Sequence, residues 1–113
     1  MSNWHDVGAA DDFAQDEPKG VVAAGIGVAV FRVGADLFAL HDMCTHATAR
    51  LSDGFVEDGC VECPLHQGLF DLRTGEARKE PCTEDVQTFH VREVGGRVEV
   101  QVLPGVTQPW KLD

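Results

Sequence analysis

The sequence has few basic residues, no long apolar run and no basic segment at its start. Nine lysines and arginines stand against nineteen aspartates and glutamates, a formal net charge of −10. A surface this negative repels nucleic acid and anionic lipid, so we expect neither as a partner. No stretch approaches the roughly 20 apolar residues of a spanning helix. Residues 1–6 lack the features of a signal peptide. We therefore expect a cytoplasmic protein that does not associate with membranes.

Internal repeats, low-complexity segments and patterns for a helix of ten residues are also missing. At 113 residues, of which 43% are apolar, the chain is expected to form one domain over residues 1–113. Short apolar runs separated by glycine-containing turns predict an all-β fold. The run from Val28 to Val33 is largely apolar on both faces, which predicts a strand buried between two layers.

Three further segments, among others, are predicted to be strands. The first runs from Leu51 to Val56. The second, 86–94, forms a final hairpin with residues 97–103, and the chain turns at Gly95 and Gly96 between them.

The cysteines do not have the spacing of a disulfide framework. Cys44 and His46 form one C-x-H pair, and Cys63 and His66 form one C-x-x-H pair, with sixteen residues between His46 and Cys63. Each pair offers one thiolate and one imidazole from a short loop, and both groups are metal ligands. The four residues are therefore the candidate metal site.

Two kinds of metal centre are compatible with this pattern. Structural zinc sites usually pair like ligands, Cys with Cys and His with His, whereas both pairs here are mixed. A mixed pair is expected if each loop gives its cysteine to one iron and its histidine to the other iron of a [2Fe–2S] cluster. The spacing favours the cluster, and a structural zinc module is the alternative.

The motifs C-T-H at 44–46 and C-P-L-H at 63–66, followed by Gln67 and Gly68, resemble a Rieske iron–sulfur site. The small size and the β pattern are similar to the Rieske-type ferredoxins of bacterial aromatic-ring-hydroxylating dioxygenase systems. This resemblance implies an antiparallel β-sandwich with a small cluster-binding subdomain, about residues 43–82, inserted in it. It also implies one Rieske [2Fe–2S] cluster, with the inner iron held by two cysteines and the outer by two histidines. The implied ligands are Cys44, Cys63, His46 and His66.

The sequence departs from the respiratory branch of that family in two ways. Ala49 and Leu65 occupy positions at which that branch has two further cysteines, so a disulfide between the loops is excluded. Gly68 and Phe70 replace a serine and a tyrosine whose hydroxyls donate to sulfur there. Such donors stabilise the reduced state, so we expect a potential at the low end of the Rieske range, roughly −150 mV.

Nothing in the sequence indicates catalysis. It has no activated nucleophile and no second site of two histidines and a carboxylate, such as a terminal oxygenase needs. The resemblance implies a monomeric electron carrier, not an enzyme. It would accept one electron from a flavin-containing ferredoxin reductase and pass it to a terminal oxygenase through the edges of His46 and His66. A small Rieske subunit of another redox enzyme, such as nitrite reductase, is the alternative.

The sequence also gives expectations for the residues around the motif. Cys60 and Cys82 lie outside it and are expected to be ordinary thiols. His41 is a candidate support for the first loop. Pro81 resembles the loop that covers the cluster in the family, with a plain turn as the alternative. An apolar docking rim around the histidines is expected from Ala47, Leu65 and Gln67.

Overall fold

The computed structural model describes residues 3–44, 49–65, 67–80 and 84–104. Within these ranges the chain forms β-strands and two short 3₁₀ turns, Ala10–Asp12 and Leu51–Asp53. No helix in the described part of the chain is long and apolar enough to cross a membrane. The strands are β1 (Trp4–Ala9), β2 (Lys19–Ala23), β3 (Ile26–Val33), β4 (Asp36–His41), β5 (Phe55–Glu57), β6 (Cys60–Glu62), β7 (Leu69–Asp71), β8 (Ala77–Lys79), β9 (Thr88–Phe89), β10 (Val91–Val94) and β11 (Arg97–Gln101).

The strands form three antiparallel sheets. The first sheet has the order β1-β11-β10, the central sheet β2-β3-β4-β9 and the third sheet β5-β6-β7-β8. Neighbouring strands pair antiparallel throughout these sheets. The prediction of an all-β, antiparallel fold is confirmed.

The central sheet is apolar on both faces and separates two cores. In β3, Val28 and Val30 face the first sheet, while Ala29 and Phe31 face the third, and all four side chains are fully buried. Burial of a large apolar side chain stabilises the fold by about 1.5–3 kcal/mol. Because the side chains of β3 enter both cores, this one strand stabilises both. The predicted strand between two layers is confirmed.

We call the two cores the base core and the ligand core. The base core lies between the first and central sheets and contains Val98, Val100 and Phe89. The ligand core lies between the central and third sheets. It contains Leu40, Leu51, Val61, Phe70 and Leu72, together with Cys44 and Cys63.

The strand predicted from Leu51 to Val56 is wrong in its first half. Leu51–Asp53 is a 3₁₀ turn, and the strand begins at Phe55. Gly54 causes the interruption. Its N–H donates to the carbonyl oxygen of Leu51 over 2.9 Å, and a Cβ at this position would overlap the carbonyl oxygen of Glu62. The backbone therefore has to bend before it can pair with β6.

The single strand predicted over 86–94 is also wrong, because the chain changes sheets within it. β9 pairs with β4 in the central sheet, and β10 pairs with β11 in the first sheet. Phe89 and Val91 nevertheless pack in the same base core, so the apolar alternation continues across the point where the chain changes sheets.

The final hairpin is confirmed. Gly95 and Gly96 turn with φ of +56° and +79°, as a two-residue hairpin loop of this type requires.

Replacing Gly54 by alanine should destabilise the protein by about 1–3 kcal/mol, the usual cost of forcing atoms into a packed site. The measurement is the free energy of unfolding in urea. Gly59→Ala is the control: Gly59 has a positive φ, but a Cβ there meets nothing within 4 Å, so the loss should be smaller. An equal loss in both variants would contradict the close approach at Gly54.

Candidate metal centre

Two loops of the same span bring the cysteines to the ligand core. The first follows β4, and its base is closed by the Cys44 N–H donating to the carbonyl oxygen of Ala49 over 3.0 Å. The second follows β6, and the Cys63 N–H donates to the carbonyl oxygen of Gly68 over 2.8 Å. In both loops the acceptor lies five residues after the cysteine. The two mixed Cys/His pairs therefore sit in loops that are closed in the same way.

The second loop is the end of a β-hairpin. Glu62 at the end of β6 pairs with Leu69 at the start of β7, so a ladder holds the two stems together. Within the loop, Gln67 has a φ of +61°, a left-handed conformation that turns the chain back toward β7. Leu65 and Gln67 are exposed, with 44% of Leu65 accessible. This exposure agrees with the predicted docking rim; Ala47 lies outside the described residues.

The cysteine side chains are fully buried and lie against each other. Burial, and then the hydrogen bond with Cys44, raise the pKa of the Cys63 thiol to about 12. The N–H of Leu65 donates to the Cys63 sulfur and acts in the opposite direction, toward the thiolate. Because a buried thiolate needs a cationic partner, two adjacent sulfurs in this core fit an iron ion.

The structure brings together two of the four predicted ligands. Cys44 and Cys63 meet in the ligand core, whereas His46 and His66 lie outside the described residues, as do Pro81 and Cys82. Among the residues that are described, no group of three or more His, Cys, Asp or Glu side chains could hold a metal ion. The four-ligand assignment therefore stays a prediction.

Cys60 lies away from this pair. It is on β6 and partly exposed, opposite Glu57 and Asp71 on the neighbouring strands. Partial burial, and then the charge of Asp71, raise the pKa of its thiol. These properties are those of an ordinary, protonated thiol.

Asp42 and Ser52 are polar residues that sequence reasoning missed. Asp42 is only 6% exposed. Its two carboxylate oxygens accept hydrogen bonds from the N–H and the hydroxyl of Ser52, each over 2.7 Å. Burial raises the pKa of Asp42, and the bonds from Ser52 act in the opposite direction. The two residues flank the first loop. In the sequence, only their position beside the motif could have indicated a role at the site.

His41, the predicted support of the first loop, faces the base core instead. Its ring meets that of Phe89 edge-on, with 6.3 Å between centroids. It is buried, and its Nε2 atom has no hydrogen-bond partner among the described residues. Burial lowers the pKa of His41, because an imidazolium in this place would be poorly solvated.

Comparison with known proteins identifies the family. Residues 3–90 match the Rieske [2Fe-2S] domain. The chain belongs to the Rieske [2Fe–2S] family. The anthranilate 1,2-dioxygenase ferredoxin subunit of Burkholderia cepacia is 56% identical over 102 residues, which cover 90% of this chain and 94% of that relative.

Solved Rieske ferredoxins share the fold. The ferredoxin of carbazole 1,9a-dioxygenase from Nocardioides aromaticivorans IC177 is 31% identical, with a TM-score of 0.85, over 89% of this chain and 98% of that one. A chain in the complex of reduced oxygenase and oxidized ferredoxin in carbazole 1,9a-dioxygenase is 36% identical, with a TM-score of 0.82, over 89% of this chain and 94% of that one.

Family membership decides between the alternatives left open by the sequence. The cofactor is one Rieske [2Fe–2S] cluster, so the zinc alternative is rejected. The chain is an electron-carrying Rieske ferredoxin of the dioxygenase-system type and is not itself an enzyme. The named relatives favour this function over that of a nitrite reductase subunit.

His41 should make stability depend on pH. Its folded pKa lies below the unfolded value of about 6.5, so the unfolded chain binds more protons and stability falls as the pH drops below that value. Above the unfolded pKa, the contribution of neutral His41 to stability is fully present. His41→Phe removes this contribution. Between pH 7.5 and 5.5 the Tm of the unaltered ferredoxin should therefore fall more than that of the variant, as followed by circular dichroism. Parallel profiles would contradict the buried, neutral imidazole.

Proposed function

We propose that Cys44 and Cys63 bind the inner iron of the cluster and that His46 and His66 bind the outer one. The observation that supports this most directly is the pair of adjacent, fully buried cysteine side chains at the bases of two equally closed loops. The mixed motifs place a histidine two or three residues after each cysteine. In sequence, each histidine thus follows a cysteine that lies at the buried base of its loop.

We also propose that residues 1–113 form one Rieske domain, with a cluster-binding subdomain over about 43–82. The third sheet, whose strands span 55–79, supports this subdomain. The ligand core joins it to the central sheet through Phe31 and Leu40. The base core and the first sheet then form the sandwich that carries it.

The cluster supplies the chemistry, which is the uptake and release of one electron. The chain's own residues set the conditions for it. Cys44 and Cys63 provide thiolates in a core without water access, and the Leu65 N–H, which points at the Cys63 sulfur, favours negative charge there. Leu65 and Gln67, which precede and follow His66 in the sequence, have exposed side chains. Electrons would enter and leave at this side of the protein.

The low potential predicted from the sequence agrees with the packing of Phe70. This side chain is fully buried in the ligand core with both cysteines and has no hydroxyl to donate. Fewer donors to sulfur disfavour the reduced state. A potential of roughly −150 mV suits a protein that passes electrons from a flavin toward an oxygenase.

The proposed partners are a flavin-containing ferredoxin reductase and a terminal oxygenase. Two observations support them: the relatives are named as ferredoxin components of dioxygenases, and one solved relative is in complex with an oxygenase. Because both partners use the same face in turn, we expect weak binding and interfaces below about 1,200 Å². The exposed acidic residues Asp53, Glu57 and Asp58 of the proposed cluster-binding subdomain suit basic partner surfaces. We propose that the protein is a cytoplasmic monomer.

Substitution of either proposed inner ligand should abolish the cluster. Cys44→Ser and Cys63→Ser should lose iron and acid-labile sulfide, together with the rhombic EPR signal of the reduced Rieske centre. Cys60→Ser is the matched control and should keep all three, because Cys60 lies outside the ligand core. Zinc without iron in the unaltered protein, or full iron in Cys63→Ser, would refute the assignment.

Leu65→Glu should slow electron transfer with both partners and leave the reduction potential nearly unchanged. The substitution puts a charge on the proposed contact surface but keeps the backbone N–H that donates to Cys63. The measurements are anaerobic stopped-flow reduction by the reductase, re-oxidation by the oxygenase, and voltammetry. Val94→Glu is the control, since Val94 is 51% exposed but belongs to the first sheet. Equal rates in both variants, or a potential above about +100 mV in the unaltered protein, would contradict the proposal.

A further inference from the structure

The two ligand loops are closed alike, but their stems are held differently. The stems of the second loop are β6 and β7, which continue as a paired ladder. The first loop enters from β4, whose partners are β3 and β9, and leaves into the 3₁₀ turn Leu51–Asp53. In the described part of the chain no strand pairing joins these two stems.

The Asp42–Ser52 pair lies where such a ladder would be needed. Asp42 precedes the closing residue Cys44 by two positions, and Ser52 follows Ala49 by three. The carboxylate accepts from both donors of Ser52 at 2.7 Å, with one oxygen for each. Two hydrogen bonds to a buried carboxylate are among the stronger links available to a protein. They connect the entry of the loop directly to its exit.

Each half of the pair is itself anchored. The Asp42 N–H donates to the carbonyl oxygen of Gly27 over 3.0 Å, which ties the entry stem to the central sheet. On the exit side, the neighbouring Leu51 side chain is fully buried in the ligand core. The two stems of the first loop are thus anchored, one to the central sheet and the other to the core that holds the cysteines.

At Gly20, β2 packs closely against the pair. A Cβ at Gly20 would lie 2.8 Å from the Ser52 hydroxyl oxygen and 2.9 Å from Oδ2 of Asp42, distances that are too short for a carbon atom. Glycine at this position allows β2 to lie directly against the two side chains. Gly20 therefore confines the pair from one side.

We propose that Asp42 and Ser52 are positioning residues that hold the first ligand loop in place, as the β6–β7 ladder holds the second. They act through the placement of Cys44 and, beyond it, of the proposed ligand His46. This inference rests on the proposed ligand assignment. It predicts that the first loop can be loosened without loosening the second.

The test compares Ser52→Ala, which deletes the hydroxyl bond, with Gly20→Ala, which forces a methyl group against the pair. In the cluster-loaded protein, hydrogen exchange measured by mass spectrometry should be about 3- to 10-fold faster in peptides covering 43–51 for both variants, as expected for the loss of one hydrogen bond. Peptides covering 61–69 should be unchanged. The EPR g-values of the reduced centre should shift, because one ligand loop has moved relative to the other.

Thr74→Val is the matched control, since it removes a hydroxyl that accepts from the Glu76 N–H in the exposed β7–β8 turn and should change neither readout. A uniform rise of exchange in both loops, or unchanged exchange in the first loop, would overturn the positioning role. If the unaltered protein held no Rieske centre, the ligand assignment would fail by itself. Exchange in the first loop would then still test the Asp42–Ser52 link.

Discussion

The structure depends on one constraint: two cysteine sulfurs have to be held side by side in a core that excludes water. Loops alone cannot do this, because they lie at the surface and bury little. Cys44 and Cys63 are fully buried since the ligand core receives Phe31 and Leu40 from the central sheet and Val61 and Phe70 from the third. The central sheet in turn is held in place from behind by the base core. A strand that is apolar on both faces is thus a requirement of the metal centre.

The same constraint explains why similar loops need different supports. The second loop extends a hairpin, so its position follows from the β6–β7 ladder. The first loop connects a central-sheet strand to a segment that is not a strand, and local pairing does not determine its position. The two hydrogen bonds from Ser52 to the Asp42 carboxylate hold the two stems of this loop at a fixed distance from each other. Burying Asp42 costs free energy because its charge is desolvated, and the gain is the geometry of the loop.

Much of this could be predicted from the sequence, and the failures have physical causes. Alternating apolar residues show which side of a strand meets a core, so β3 and the final hairpin were predicted correctly. The alternation does not show which sheet a strand joins. Phe89 and Val91 share the base core although the chain changes sheets between them. The bend at Gly54 depends on the approach of a distant carbonyl group.

For the metal centre, too, local features could be predicted from the sequence and long-range contacts could not. Four ligands of two types, in mixed Cys/His pairs, indicated a two-iron site because ligand chemistry is local to each motif. The link between Asp42 and Ser52 joins residues ten positions apart, and either residue alone resembles an ordinary polar position near a turn. His41 shows the converse error. Its nearness to the motif in sequence suggested a supporting role, but successive residues of β4 point to opposite faces. Leu40 enters the ligand core while His41 meets Phe89 on the other side.

Burial and charge together favour a low reduction potential in this ferredoxin. Reduction adds one negative charge to a centre whose cysteines lie in an apolar core, where water solvates the added charge poorly. The carboxylates that give the chain its formal charge of −10 act in the same direction, although salt screens those at the surface. Against these effects stand backbone donors such as the Leu65 N–H, while Phe70 packs beside the cysteines without a hydroxyl. We expect a Rieske ferredoxin with this balance to give up its electron readily, as the proposed transfer from a flavin to an oxygenase requires.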